Sequence, residues 1–233
     1  MEDFIEKFNL FDIVAMLIPG LTFIFFTKLT LNCTDTDLYS KFEEFTILAL
    51  LIFGYILGFV FQEIGAMLDK IILHKFYYGG DLKEIFLMEA KKKKVFDNDV
   101  YYYMGQLVKE DIIKASNLRD ENVWKNEGAT NRYVYNYLLD YLEIKGLKAK
   151  SDKMQVLTEL GRSLMAVSAI CVVLSLKNIS IVFSCENLQI SISVISAVVF
   201  MILTWIFFRL KTRYEKYRIR TMIRTYFIFN NLK

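Results

Sequence analysis

The stretch Phe45 to Gly65, FTILALLIFGYILGFVFQEIG, decides the class of this chain. It is an apolar run of about 20 residues, enough for one α-helix to cross the hydrocarbon of a bilayer. Gly54 and Gly58 stand four apart within it, Gly65 follows two turns later, and Gln62 and Glu63 close it. Glycines at that spacing form G-x-x-x-G, in which absent side chains let a second helix approach backbone to backbone. A simple lipid anchor has no use for such a ridge. The stretch therefore reads as the packing spine of a multi-pass membrane protein, its partner being another span of the chain or a second copy.

Composition supports that class. Of 233 residues, 55% are apolar and 24% charged, and the mean hydropathy is +0.32. These values are compatible when apolar spans alternate with charged segments. One proline and ten glycines favour long helices over turn-rich strands, so the fold class is all-α integral membrane. A formal net charge of +3 is too small for a nucleic-acid binder. Three cysteines at unrelated spacings make neither a metal motif nor a dense disulfide framework.

Toward the amino terminus, Met1 to Leu10 mixes acids with aromatics and reads as an interfacial helix leading into a first span from about Phe11 to Thr27. Asp12 and Pro19-Gly20 sit in the wrong places for a cleavable signal. Pro19 and Gly20 are a candidate hinge, because proline removes a backbone donor in mid-span; a packing adjustment is the plainer reading. Beyond Gly65 the chain turns polar for about 90 residues, too long for a connector. Tyr77 to Gly80 breaks the second helix, and Asp81 caps a new one bearing Leu82, Ile85, Phe86 and Ala90, which Lys91 to Lys94 end. Helices are predicted over Asp97 to Asn117 and Thr130 to Lys145, with breaks at Gly128 and Gly146. Ser151 then caps a helix continuing into a third span.

That third span is the shortest, Ser163 to Leu176, and needs its flanks to cross a bilayer; the fourth, Ile190 to Phe208, is clear. The resulting layout is 1–67 with the interfacial helix and two spans, 68–160 as a helical cytosolic domain, 161–208 with two more spans, and 209–233 as a basic amphipathic tail. Four spans put 26 of the 29 Lys and Arg on the side of both termini, so the positive-inside rule predicts an N-in/C-in protein of the inner (plasma) membrane. Cys33 and Cys185 then fall in the outer loops, where they form either a disulfide or two unpaired thiols.

Three constellations are candidates for function. Asp12, Glu63, Arg162 and Arg209 lie near the inner ends of the four spans, and pairing of Glu63 with Arg162 and of Asp12 with Arg209 would make a gate, an ion site or a structural collar. Tyr133, Tyr137 and Tyr141 recur at helical spacing beside Arg132, a candidate ligand or partner surface where rings could stack a nucleotide base; core packing is the alternative. Lys91 to Lys94 and the tail read as anchors to anionic headgroups. Nothing points to an enzyme or a cofactor: the lone His74 has no metal-ligating neighbour in sequence, and nucleophile elbow, zinc-protease and Walker motifs are missing.

LIPG in the first span, GYILGFVFQEIG in the second, YYGG after it and GRSLMAV opening the third resemble small four-span bacterial inner-membrane proteins and the membrane components of anti-phage defence systems. The resemblance is one of layout and carries no functional residue across. It implies a non-enzymatic, homo-oligomeric protein coupling a cytosolic helical domain to a pore or membrane-perturbing bundle. An ion or solute channel or transporter, and a scaffold recruiting a soluble partner, are the alternatives.

Overall fold

A computed structural model describes residues 10–31, 47–96, 98–115, 126–182 and 187–231. These residues are helical, with connecting turns and no strand among them. The elements are α1 (Leu10–Leu31), α2 (Ile47–Leu68), a π-helix (Asp69–Tyr78), α3 (Leu82–Ile85), a 3-10 turn (Glu89–Lys91), α4 (Lys92–Val95), α5 (Asp99–Ala115), α6 (Glu127–Ile144), α7 (Ala149–Val182) and α8 (Asn187–Asn231). The chain divides into two compact units, residues 1–67 with 156–212 and residues 68–155 with 213–233. Three helices are long and apolar enough to cross a membrane, within Ile47–Ile85, Ala149–Lys177 and Ser193–Asn230; α1 has a shorter apolar part, Ala15–Thr27.

In the first unit α1 and α2 meet through glycine. On α2 the buried positions are Gly54, Gly58, Phe61 and Gly65, a 4-3-4 spacing that keeps to one side of a helix. A Cβ added to Gly20 would overlap the carbonyl of Gly54, and one added to Gly58 would overlap the carbonyl of Met16. Only two bare backbones fit there, so the G-x-x-x-G partner is another helix of the same chain. Helix α1 runs through Pro19 without interruption, and Pro19 and Gly20 are both buried. Below the glycines all four helices supply the core. Phe61, Val167, Cys171 and Phe200 are buried together, with Phe23, Phe26 and Ile64 against them. Phe23 meets Phe61 at 4.8 Å between ring centroids, and Phe26 meets Phe200 edge-on at 4.9 Å. Helices α7 and α8 are joined by hydroxyls, Thr204 to Ser168 at 3.0 Å and Ser196 to Ser175 at 3.1 Å. Such bonds hold helices together where the surroundings give no hydrophobic drive.

The second unit is built on capping and on two glycine turns. Asp81 accepts from the Lys83 amide and starts α3, as its position predicts. The helix expected to run on to Ala90 stops at Ile85, because Ile85, Phe86 and Leu87 are all buried and three consecutive residues cannot share one helix face. The carbonyl of Leu87 freed by that stop accepts from Gln106 Nε2 at 2.8 Å. Lys91 to Lys94 accordingly lie within the short 3-10 and α4 turns instead of trailing off a longer helix. Asn126, not Gly128, marks the start of α6: its side chain accepts from the amides of Gly128 and Ala129. Gly146, at φ 66°, ends α6 as expected, and Gly79, at φ 70°, ends the π-helix. Helix α7 begins at Ala149; Ser151 is buried in its first turn, where its hydroxyl accepts from Arg218 Nε at 3.4 Å.

The basic tail reads from sequence as an anchor to anionic headgroups. In the structure the apolar residues Ile219, Met222, Ile223 and Tyr226 of α8 are buried in the second unit, where Leu87 and Ile223 close on the bare face of Gly105. The apolar stripe of an amphipathic helix covers whatever core is at hand, and here α3 to α6 supply one.

Candidate functional site

Helix α6 carries the candidate ligand surface, and its geometry separates the four residues singled out there. Arg132 reaches across to α3 and its cap: its guanidinium is 2.8 Å from a Glu84 carboxylate oxygen and 3.2 Å from one of Asp81. Below it the side-chain amide of Asn131, fully buried, donates to the Glu84 carbonyl at 2.7 Å and fixes that edge. Glu84, Asn126, Ala129, Arg132, Tyr133 and Asn136 line an open groove of about 380 Å³. Two carboxylates face one guanidinium, both through Nη2, so the rim is acidic on balance.

The tyrosines split likewise. Only Tyr133 lines the groove. Tyr137 and Tyr141 lie nearly parallel at 6.4 Å, and Tyr141 packs on Tyr226 at 4.8 Å and on Phe229 at 6.2 Å, while its hydroxyl donates to Asn230 Oδ1 at 2.8 Å. Burial and the neighbouring Tyr137 raise the proton affinity of Tyr141 above the ordinary tyrosine range. These rings hold the carboxyl-terminal helix in place. In the row Tyr101 to Tyr103, Arg220 sits 5.5 Å from the Tyr101 ring and Lys92 5.3 Å from that of Tyr102, while Tyr103 is exposed.

Of the membrane-boundary charges, Glu63 is exposed and Arg209 lies over the ring of Trp205 at 5.1 Å. Gly65, not Glu63, meets Arg162: a Cβ on Gly65 would lie 2.8 Å from Arg162 Cγ. A helix turns about 100° per residue, so Glu63, two positions earlier, points to the far side. The pairing expected between Glu63 and Arg162 is thus replaced by a glycine against an arginine stem. Asp12 lies in α1, its side chain outside the described residues, as are Cys33 and Cys185 with their expected disulfide.

Sequence reasoning passed over Lys211 and Gly161. Lys211 is 1% exposed, and its Cβ comes within 3.3 Å of where a Cβ on Gly161 would stand. The signal was available in the glycine opening GRSLMAV, one position before Arg162. It also passed over the hydroxyl ladder, although Ser168 and Ser175 stand two turns apart on one face. Among the described residues, no three His, Cys, Asp or Glu side chains converge as a metal site would require. Compared with protein-family models, curated proteins and solved structures, the chain matches none.

Proposed function

We propose that the chain is a four-span, N-in/C-in membrane protein without chemistry of its own, which couples a cytoplasmic helical unit to the bilayer as an oligomeric effector or sensor of the anti-phage defence type. One observation carries the reading. Helices α2 and α8 turn ranks of large apolar side chains outward, Ile52, Phe53, Ile56 and Phe59 on one, Ile195, Val199, Ile202 and Trp205 on the other. Only 17% of the apolar window of each is buried, against 44% for α7. Surfaces of that extent need lipid or a second copy to cover them. In this reading the remaining span is α1, 22 residues from Leu10 to Leu31 with Ala15–Thr27 as its apolar part.

The interior of the bundle is filled by Phe61, Val167, Cys171 and Phe200, so a pore would form between copies. Against a housekeeping channel or transporter, the polar groups seen between α7 and α8 among the described residues, Ser168 with Thr204 and Ser175 with Ser196, are small hydroxyls bonded to one another. Reconstitution in liposomes tests the reading. A homo-oligomer in mild detergent, with ion flux that appears on a trigger such as a nucleotide or a soluble protein, is expected. A monomer with no flux under any condition would leave a membrane scaffold that recruits a soluble partner.

A further inference from the structure

The π-helix Asp69–Tyr78, DKIILHKFYY, follows α2 directly and runs for ten residues. Wide helical turns of this kind occur mostly as single bulges, often at functional sites. Its burial pattern follows the π winding. Asp69 and Tyr78 are 6% and 0% exposed. In an α-helix, at about 100° per residue, side chains nine apart point in opposite directions; at roughly 80° per residue in a π-helix they return to the same side. On the other side Ile71, Ile72 and Phe76 are all exposed, Phe76 to 74%. The π winding brings these three within about 80° of one another, where α winding would spread them over about 140°. Lys75 and Lys70, both exposed, come next on one flank of that row.

We propose that the π-helix is an interfacial element that lies in the headgroup layer of an anionic bilayer, Ile71, Ile72 and Phe76 among the upper acyl chains and Lys70 and Lys75 on lipid phosphates. The proposal rests on the membrane reading above. Lipid is the occupant the chain itself points to, because the segment continues the helix whose outward residues from Ile47 to Val60 are apolar and exposed, Glu63 being the one charge exposed before Met67. An apolar row flanked by lysines is what an interfacial helix presents, the stems lying on hydrocarbon and the ammonium groups reaching outward. The wide winding gathers that row on one face while it keeps Asp69 and Tyr78 on the buried one.

Two single-tryptophan proteins test this in full-length form. Trp124→Phe keeps Trp205 as a reporter of the spans; Trp124→Phe/Trp205→Phe/Phe76→Trp reports the π-helix. Each is reconstituted in phosphatidylcholine vesicles containing brominated phosphatidylcholine or brominated phosphatidylglycerol. Expected are blue-shifted emission from the tryptophan at position 76 and stronger quenching by bromines near the headgroup than by deep ones. Phosphatidylglycerol should quench more than phosphatidylcholine, and Lys70→Gln/Lys75→Gln should cut that preference by up to about fivefold per lysine. If Trp205 is quenched while the π-helix reporter stays water-exposed and unquenched, the membrane reading stands and the interfacial assignment is overturned. Equal quenching by both headgroups overturns the role of the lysines, and quenching of neither reporter overturns both readings.

Discussion

Gly58→Ala places a methyl group against the carbonyl of Met16, a backbone atom that no rotamer change can move aside. Helices α1 and α2 must separate, and forced overpacking of this kind costs about 3 kcal/mol at the upper end of the usual range. Removing a glycine from a helix interior returns about 1 kcal/mol of propensity. The net loss is about 2 kcal/mol. Gly54→Ala is the internal control, since its Cβ would meet Leu21 Cδ2 at 2.8 Å, the end of a flexible side chain. A rotamer adjustment there costs about 1 kcal/mol, which the propensity gain offsets, so the net change is close to zero. Gly20→Ala, against the Gly54 carbonyl, should behave like Gly58→Ala, and the double variant should lose less than the sum because one separation relieves both overlaps. Unfolding titrations in mixed micelles measure the differences. Equal stability of Gly58→Ala and wild type, or a larger loss for Gly54→Ala, would refute the backbone seam.

Three more outcomes follow from the packing. Thr204→Val should cost roughly 0.6 kcal/mol through loss of the contact to Ser168, and a cycle with Ser168→Ala should show that the two effects are not additive; additivity would mean the hydroxyls do not interact. Asn131→Ala should cost roughly 1–3 kcal/mol, because it removes a fully buried amide and leaves the half-buried Glu84 carbonyl without that donor, whereas Arg132→Ala, half exposed, should cost less than about 1 kcal/mol despite its two carboxylate partners; urea unfolding that ranks them the other way contradicts the assignment. Burial, opposed by Arg218, holds the Tyr135 phenol protonated above the ordinary tyrosine range. With an unfolded value of about 10, its contribution is full below that pH and lost as pH rises toward the folded value, so the urea midpoint should fall above about pH 10, and less in Tyr135→Phe.

Periodicity and glycine spacing carried most of the fold. The ridge of Gly54, Gly58 and Gly65 was legible because spacings of four and seven keep to one helix face whatever lies opposite, and Gly146 because only glycine takes a positive φ at low cost. Which helix would meet the ridge was not legible, since that depends on Met16 and Gly20 being at the right height. The break after Ile85 was hidden for a different reason. Leu82, Ile85 and Phe86 satisfy a helical template, and only the burial of Leu87 beside them, backed by Gln106, shows that the chain turns. The π-helix has no composition signature, because DKIILHKFYY suits an α-helix equally well until the burial of Asp69 and Tyr78 is known. At the candidate site, residue types were legible but roles were not. A tyrosine stripe at i, i+4, i+8 suits stacking and packing alike, and the tail that occupies Tyr137 and Tyr141 is some 90 residues away in sequence.

The central claim, that the outward apolar ranks face lipid while the glycine side faces protein, is tested most directly by nitroxide labels placed singly at Ile56 and Phe61 in the reconstituted protein. Ile56 is 53% exposed and Phe61 4%. A label at Ile56 should be relaxed by oxygen, which partitions into lipid, and not by a water-soluble nickel chelate; one at Phe61 should respond to neither. Relaxation of the Ile56 label by the nickel chelate would place that face in water and contradict the membrane assignment.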